Sequence, residues 1–190
     1  RAQLDGEIAG LGGDARYGRL EAHAWYFYPI YEESVILKLE GNAGHIQSFG
    51  GRDVPLQDRF FEGADSFRGF ASAGVGPHQV NNAGGSDSIG ANSYAIGTVE
   101  LNFPVGLPEA WGITGTAFSD FGTVFGSDDK SQLIGAGNCR AAAPKNCDVF
   151  KDAAFRASIG AGIIWQSPFG PLRLEAAYPL LKTKYDEKEL

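Results

Sequence analysis

The sequence predicts an all-β protein, specifically an antiparallel transmembrane β-barrel fragment of about seven strands. Apolar residues alternate with small or polar residues over long stretches, which is the two-residue period of a β-strand. Several stretches are ten residues or longer, and a tilted strand needs roughly 9–11 residues to cross a bilayer. Short and long connections alternate along the chain, as in membrane barrels with tight turns at one end. Glycine is frequent and a 3.6-residue period is missing, so the pattern does not favour helices.

The first four segments each show one apolar face. In 3–8, leucine and isoleucine alternate with glutamine and acidic residues. In 19–28, leucine, alanine and tyrosine alternate with arginine, glutamate and histidine, and in 35–40 valine and leucine oppose lysine and glutamate. In 93–103, the odd positions are small or apolar and lie opposite threonine, glutamate and asparagine. Each segment is therefore predicted to be a strand with two chemically different faces.

The last three segments repeat the pattern. Segment 111–125 is less regular and places Asp120 on its more polar side. Segment 155–166 has bulky or apolar residues at its odd positions and mainly small or polar residues at its even positions. In 172–178, leucine, alanine and tyrosine oppose Arg173 and Glu175. The segments add up to seven strands, whereas a single-chain bacterial barrel closes with an even number.

The connections give independent support for a membrane barrel. Short connections rich in proline or glycine occur near 30–34, 105–110 and 167–170, and long polar ones near 45–92 and 126–153. Aromatic residues collect near the strand ends, where interfacial girdles lie. A soluble antiparallel sandwich or a lipocalin-like barrel would also explain the alternation and the turns, but it explains the long strands and terminal aromatic residues less well.

Charge and hydropathy narrow the functional class. The net charge of −7 and the lack of a basic cluster argue against nucleic acid as a partner. No run of 18 apolar residues occurs, so no transmembrane helix is predicted.

The chain begins at Arg1 without methionine or a signal-like segment, and it ends in the charged segment 182–190. We therefore expect both ends to be cuts in a longer protein.

Few residues indicate enzyme or metal chemistry. Cys139 and Cys147 lie in a polar loop and are predicted to form a disulfide in an oxidising compartment, with two unpaired thiols as the alternative. A metal site there is disfavoured because no histidine is near. Glu100 and Asp120 could act as an acid–base pair as in glycosidases, but carboxylates facing the lumen are common in barrels. We predict no enzyme activity, cofactor or metal.

Three motifs carry a resemblance to a known family. Segment 59–63 (RFFEG), followed by 67–70 (FRGF), is similar to the loop-six signature of the BamA/TamA outer-membrane insertase superfamily. Segment 119–125 (SDFGTVF) resembles its aspartate–glycine strand, and 167–174 (SPFGPLRL) resembles the turn and strand before its last strand. The motifs agree in order and approximate spacing over nearly the whole chain; they resemble the BamA branch most, and the TamA branch shares most of them.

The resemblance implies a place within a larger protein. The family has a 16-stranded barrel preceded by periplasmic POTRA domains. Residues 1–190 resemble strands nine to fifteen, which are the C-terminal portion of the outer-membrane β-barrel domain. The POTRA domains, the first eight strands and the final strand would then lie outside this chain.

The resemblance also implies roles for particular residues. Arg68, Gly69 and Phe70 correspond to the family's conserved-loop motif, and Glu100 and Asp120 correspond to its partners on the barrel wall. A guanidinium offers five donors in a fixed fork and can hold two carboxylates at once. From the residues alone, a solvated loop arginine with carboxylates that merely face water is the alternative.

The implied function is assembly of other proteins in the bacterial outer membrane. A member of this family would fold and insert β-barrel proteins by lateral gating and β-strand pairing. Its partners would be client outer-membrane proteins, accessory assembly lipoproteins and outer-membrane lipids. Two-partner secretion transporters share the loop motif, so a secretion transporter or a passive pore is the alternative.

Overall fold

The chain folds almost entirely into β-strands. The computed structural model describes residues 1–10, 12, 15–31, 34–80, 86–127, 148–150 and 153–188. Two 3-10 helices, Leu56–Asp58 and Glu109–Trp111, lie between strands. The strands in chain order are β1 Ala2–Ala9, β2 Tyr17–Tyr31, β3 Val35–Ser48, β4 His78–Val80, β5 Ser86–Ser88, β6 Ser93–Pro104, β7 Ile113–Phe125, β8 Asp148–Phe150, β9 Arg156–Ser167 and β10 Gly170–Leu181.

Seven long strands form one antiparallel sheet in the order β1-β2-β3-β6-β7-β9-β10. The long strands are adjacent in the sheet in the order in which they occur along the chain. The three short strands lie in the connections between β3 and β6 and between β7 and β9. Strand lengths run from 8 residues in β1 to 15 in β2. The predicted all-β antiparallel fold with seven strands is confirmed. In the described ranges, no helix is long and apolar enough to cross a membrane.

Two details of the strands differ from the sequence prediction. Strand β3 continues well past the predicted 35–40, because segment 41–44 keeps its pairing with both neighbours although its residues are too small or polar to show the alternation. Trp111, placed in a strand by the sequence, ends a 3-10 helix, and β7 begins at Ile113. The three-residue strands β4, β5 and β8 form a separate small sheet that lies in regions predicted as loops. Cys139 and Cys147 lie outside the described residues.

The large sheet has an apolar face that is exposed and a polar face that is covered. We call the first the outer face. Its large side chains remain accessible, for example Leu174 at 73% and Leu4 at 69% exposure. Other exposed members are Leu20, Tyr26, Tyr28, Leu39, Val99, Phe121, Ile159, Ile163, Trp165, Leu172 and Tyr178. This inverts the arrangement of a soluble sandwich, in which apolar stripes face each other across a core. It is the arrangement expected for strands whose outer side faces lipid.

The inner face is packed against the chain itself. The segment 49–77, which we call the covering loop, lies over it and supplies buried aromatic residues. Phe67 and Phe70 are fully buried and meet edge to face, with ring centroids 4.9 Å apart. Phe60 packs in the same manner against Tyr94 of β6. The hydrophobic core therefore lies between the covering loop and the inner face.

Candidate functional site

Arg68 of the covering loop is the centre of the candidate site. Its Nη2 lies 2.7 Å from Oδ1 of Asp120, and its Nε donates to Oδ2 of the same carboxylate at 2.8 Å. Its Nη1 donates to Oε2 of Glu100 at 3.0 Å. The backbone N–H of Arg68 also donates to Asp120 Oδ2 at 3.1 Å. The guanidinium thus makes a two-pronged contact with one wall carboxylate and a single contact with another.

The two carboxylates are placed by adjacent strands. Glu100 lies on β6 and Asp120 on β7, both on the inner face. Asp120 is opposite Thr98 in the strand pairing, and the Thr98 hydroxyl donates to Asp120 Oδ1 at 2.8 Å. Glu100 and Asp120 are 2% and 1% exposed. Carboxylates buried this deeply need charged or hydrogen-bonding partners, and the covering loop supplies the principal one.

Gly69 and Phe70 shape the loop around Arg68. Gly69 has φ of +90°, a conformation that residues with a side chain rarely adopt. An added Cβ would lie 3.3 Å from Ala177 Cβ and 3.4 Å from Ser158 Cβ, so the loop backbone runs directly against β9 and β10. Phe70 is fully buried next to Phe67. The motif thus combines a charged contact, a close backbone approach and an apolar anchor.

The site also contains residues that the sequence analysis did not assign to it. Glu175 Oε2 on β10 lies 3.4 Å from Arg68 Nη1. Arg173, also on β10, places Nη2 at 3.0 Å from Glu100 Oε2 and 2.5 Å from Glu175 Oε1. Two guanidinium groups therefore face three carboxylates. The alternation places Arg173 and Glu175 on the polar face, but it could not show that Arg173 reaches Glu100 of β6 or that Glu175 reaches Arg68 of the covering loop.

An aromatic ring supports the guanidinium from below. The Cζ of Arg68 lies 3.4 Å from the centroid of the Phe118 ring, which is a close cation–π contact. Phe118 is on β7 beside Gly160 of β9. A Cβ at Gly160 would come within 2.3 Å of the Phe118 ring, so the missing side chain makes room for the ring. One signal in the sequence pointed to this arrangement, namely the small residues at even positions of β9.

The electrostatics of the site favour ionised partners. Burial lowers the pKa of Arg68, but the hydrogen bond and charge of Asp120, with those of Glu100 and Glu175, outweigh burial and raise it above the usual value. Arg68 therefore stays charged, and its fork lies between the two carboxylates. Such an arrangement fixes the loop on the wall. Among the described residues, no group of three or more histidine, cysteine or acidic side chains could hold a metal ion.

Fold and site together define a class of protein. The outer face is an apolar belt, the inner face is polar, and an arginine on a long loop is held by carboxylates of the inner face. These are the features of a membrane β-barrel whose lumen is occupied by one of its own loops. Residues 1–189 match the Omp85 superfamily domain, and the chain belongs to this superfamily.

Several members are similar over nearly the whole chain. Outer membrane protein assembly factor BamA of Neorickettsia risticii is 32% identical over 95% of this chain and 22% of its own length. BamA of Neisseria meningitidis serogroup B is 30% identical over 97% of this chain and 24% of its length. A SAM50-like protein of Schizosaccharomyces pombe is 28% identical over 95% of this chain and 36% of its length. The chain thus spans about a quarter of the length of its BamA relatives.

A solved structure supports the same assignment. The crystal structure of BamA from Haemophilus ducreyi lacking POTRA domains 1–3 superposes with a TM-score of 0.79 and 28% sequence identity. The match covers 99% of this chain and 36% of the other. The family predicted from the three sequence motifs is therefore confirmed. The two bacterial relatives are named outer membrane protein assembly factors, and this chain shares the fold of the Haemophilus ducreyi BamA barrel.

Proposed function

We propose that this chain is part of an outer-membrane assembly factor that folds β-barrel proteins and inserts them into the bacterial outer membrane. The observation that carries the proposal is the contact of Arg68 with Glu100 and Asp120. It occurs in a chain that is 32% identical to BamA of Neorickettsia risticii over 95% of this chain. The exposed apolar outer face is suited to a bilayer. The names of the bacterial relatives support the assembly role.

The proposal includes a place in the complete protein. We propose that residues 1–190 are the C-terminal portion of the barrel domain and correspond to strands nine to fifteen of sixteen. POTRA domains and the other strands would lie elsewhere in the full-length protein. The short coverage of each relative supports this, because the matched region makes up only 22% and 24% of the two BamA relatives.

The geometry suggests how such a barrel would act. In the described part of the chain, β1 and β10 are edge strands with one partner each. Unpaired backbone groups are costly in lipid, so the complete barrel must pair them or open only briefly. A client strand that pairs with a transiently open edge gains backbone hydrogen bonds by β-augmentation. Lateral gating and strand pairing then need no covalent chemistry, and we propose no enzymatic step and no cofactor.

The partners follow from the same proposal. Client outer-membrane proteins would supply the pairing strands, outer-membrane lipids would surround the outer face, and accessory assembly lipoproteins would complete the machinery. The loop anchored by Arg68 would keep the inner face of the barrel in one arrangement while an edge opens. A buried ion pair is better suited to fixing geometry than to adding net stability.

Depletion of the full-length protein tests the proposal. We expect the levels of many unrelated outer-membrane β-barrel proteins to fall together, measured by quantitative proteomics of isolated outer membranes. Periplasmic and inner-membrane proteins serve as the internal control. Loss of a single secreted protein with unchanged barrel levels would instead favour a two-partner secretion transporter. Loss of solute permeability alone would favour a passive pore.

A further inference from the structure

The segment 182–188, which we call the tail, folds back onto the covering loop. The N–H of Ala71 in the loop donates to the carbonyl of Glu187 at 2.9 Å, and the N–H of Glu187 donates to the carbonyl of Gly74 at 3.0 Å. A further antiparallel bridge joins Phe70 to Lys188. A Cβ at Gly74 would lie 2.7 Å from the Glu187 carbonyl oxygen, so the two backbones are in close contact. Loop and tail are therefore paired like two short strands.

The tail is itself tied to the wall by a buried ion pair. Arg156 of β9 places Nε 2.8 Å from Asp186 Oδ2, and the two side chains are 1% and 0% exposed. The N–H of Thr183 donates to the same oxygen at 2.6 Å. Arg156 Nη1 also donates to the carbonyls of Ala154 and Val124. The tail is thus fixed to β9 at one point and paired to the covering loop a residue later.

The chemistry of this pair indicates a positioning role. Asp186 Oδ1 is buried and has no hydrogen-bond partner among the described residues. Desolvating two charges costs about as much as their attraction returns, and an unsatisfied oxygen adds to the cost. Well-packed apolar residues of similar volume often give equal or better stability than a buried ion pair. What the ion pair provides is one defined location for Asp186, and therefore for Glu187 and the loop segment beside it.

We propose that the tail is the positioning element of the covering loop, and that Arg156 and Asp186 are positioning residues for the Arg68 anchor. The ion pair fixes the tail on β9, and backbone pairing passes that position to residues 70–74. Arg68 precedes that paired segment by two residues. Release of the tail from Arg156 should therefore let the loop lift from the inner face and weaken the contacts of Arg68.

A thiol introduced under the loop measures this release. Ser158 of β9 is fully buried, lies beneath Gly69, and its hydroxyl has no hydrogen-bond partner among the described residues. Ser158→Cys is therefore a mild change. We would introduce it into the full-length protein in lipid bilayers, with Cys139 and Cys147 replaced by serine, and measure its rate of modification by a maleimide. This rate reports the position of the loop directly and does not depend on assembly activity.

The variants separate the ion pair from general effects of charge. We expect Asp186→Asn to raise the modification rate by about tenfold or more, because it leaves the buried Arg156 without its counter-charge. Asp186→Glu keeps the carboxylate and should restore a rate near that of the parent. Glu187→Gln is the matched control, since among the described residues the hydrogen bonds of Glu187 are made by its backbone. A parental rate in Asp186→Asn would overturn the proposal.

A second variant covers the case in which Asp186→Asn does not fold. Gly74→Ala places a Cβ 2.7 Å from the Glu187 carbonyl oxygen and 2.8 Å from the Ala71 carbonyl oxygen, so it disturbs the contact between loop and tail without changing Arg156 or Asp186. We expect a similar rise in the modification rate of the introduced thiol. The difference in gel mobility between unheated and heated samples, which reports a folded barrel, should be unchanged. Gly41→Ala, where an added Cβ meets nothing within 4 Å, is the control. Parental labelling in Gly74→Ala would show that the tail does not position the loop.

Discussion

At the scale of single residues, burial makes the Arg68 contacts matter. Glu100 and Asp120 have almost no exposed surface, whereas the side chain of Arg68 keeps 16% of its own. The carboxylates therefore depend on the loop more than the loop arginine depends on them. Lys38 and Glu40 form an ion pair at 2.7 Å in which 21% of each side chain is exposed. Loss of one partner should reduce the unfolding free energy far less there, because water screens partly exposed charges.

Replacement of Arg68 should destabilise the protein, because it leaves the buried Asp120 without a charged partner and leaves Glu100 with Arg173 alone. We expect Arg68→Ala to cost about 3–5 kcal/mol of unfolding free energy in bilayers and to expose the covering loop to proteases. Arg68→Lys should recover part of this, because an ammonium keeps the charge but loses the fork. Lys38→Ala removes the partner of the partly exposed Glu40 on the strand next to Glu100; it is the comparison and should cost less, about 0–1 kcal/mol. Equal losses for Arg68→Ala and Lys38→Ala would contradict this account.

Glu62 in the covering loop gives the stability a pH dependence. Burial raises the pKa of its carboxyl, although Ser66 and nearby basic groups oppose the shift. The folded state then binds the proton more readily than the unfolded state, so stability falls as pH rises through the unfolded pKa and toward the raised folded value. Glu62→Gln should remove this loss, so its stability relative to the parent should increase as pH rises from about 4 to about 7.5. Parallel stability curves for the two proteins, measured by denaturant titration across this range, would contradict the shift.

At the scale of elements, the inner face is built so that strands and loop can approach closely. Small residues of β9 let the Phe118 ring lie beneath Arg68, and Gly69 brings the loop backbone against β9 and β10. Arg173 and Glu175 of β10 extend the charge network to a third strand. The site therefore depends on the pairing of β6, β7, β9 and β10 as well as on the charged residues themselves.

Gly160→Ala tests whether the position of the Phe118 ring beneath Arg68 matters for stability. The added Cβ would come within 2.3 Å of the Phe118 ring and 2.5 Å of the Ala176 carbonyl oxygen, so ring and backbone must move. We expect a loss of about 1–3 kcal/mol in unfolding free energy and faster proteolysis of the covering loop. Gly18→Ala on β2, where an added Cβ meets nothing within 4 Å, should leave both unchanged. Slow, parental proteolysis of Gly160→Ala would argue against a role for the ring.

At the scale of the whole molecule, the sequence predicts the faces better than the contacts between distant segments. Alternation indicated the strands and the side on which Glu100, Asp120, Arg173 and Glu175 lie, because each strand has two chemically different faces. It did not indicate the full length of β3, whose middle is too small and polar to alternate. It also could not indicate the ion pair that joins β9 to the tail, since 30 residues separate the partners and the tail carries no strand pattern.

The exposed apolar belt leads to a prediction about depth in the membrane. Leu174 lies near the middle of β10, and Ile8 lies one residue from the end of β1; both are exposed, at 73% and 80%. If the outer face meets hydrocarbon, Leu174→Arg should cost about 2–4 kcal/mol of folding free energy into bilayers, and Ile8→Arg about 0–1 kcal/mol. The difference arises because an arginine near the interface reaches the headgroups, whereas one at mid-depth cannot do so without distorting the bilayer. Equal costs at the two positions, measured by denaturant titration of the full-length protein in vesicles, would show that the belt does not span hydrocarbon.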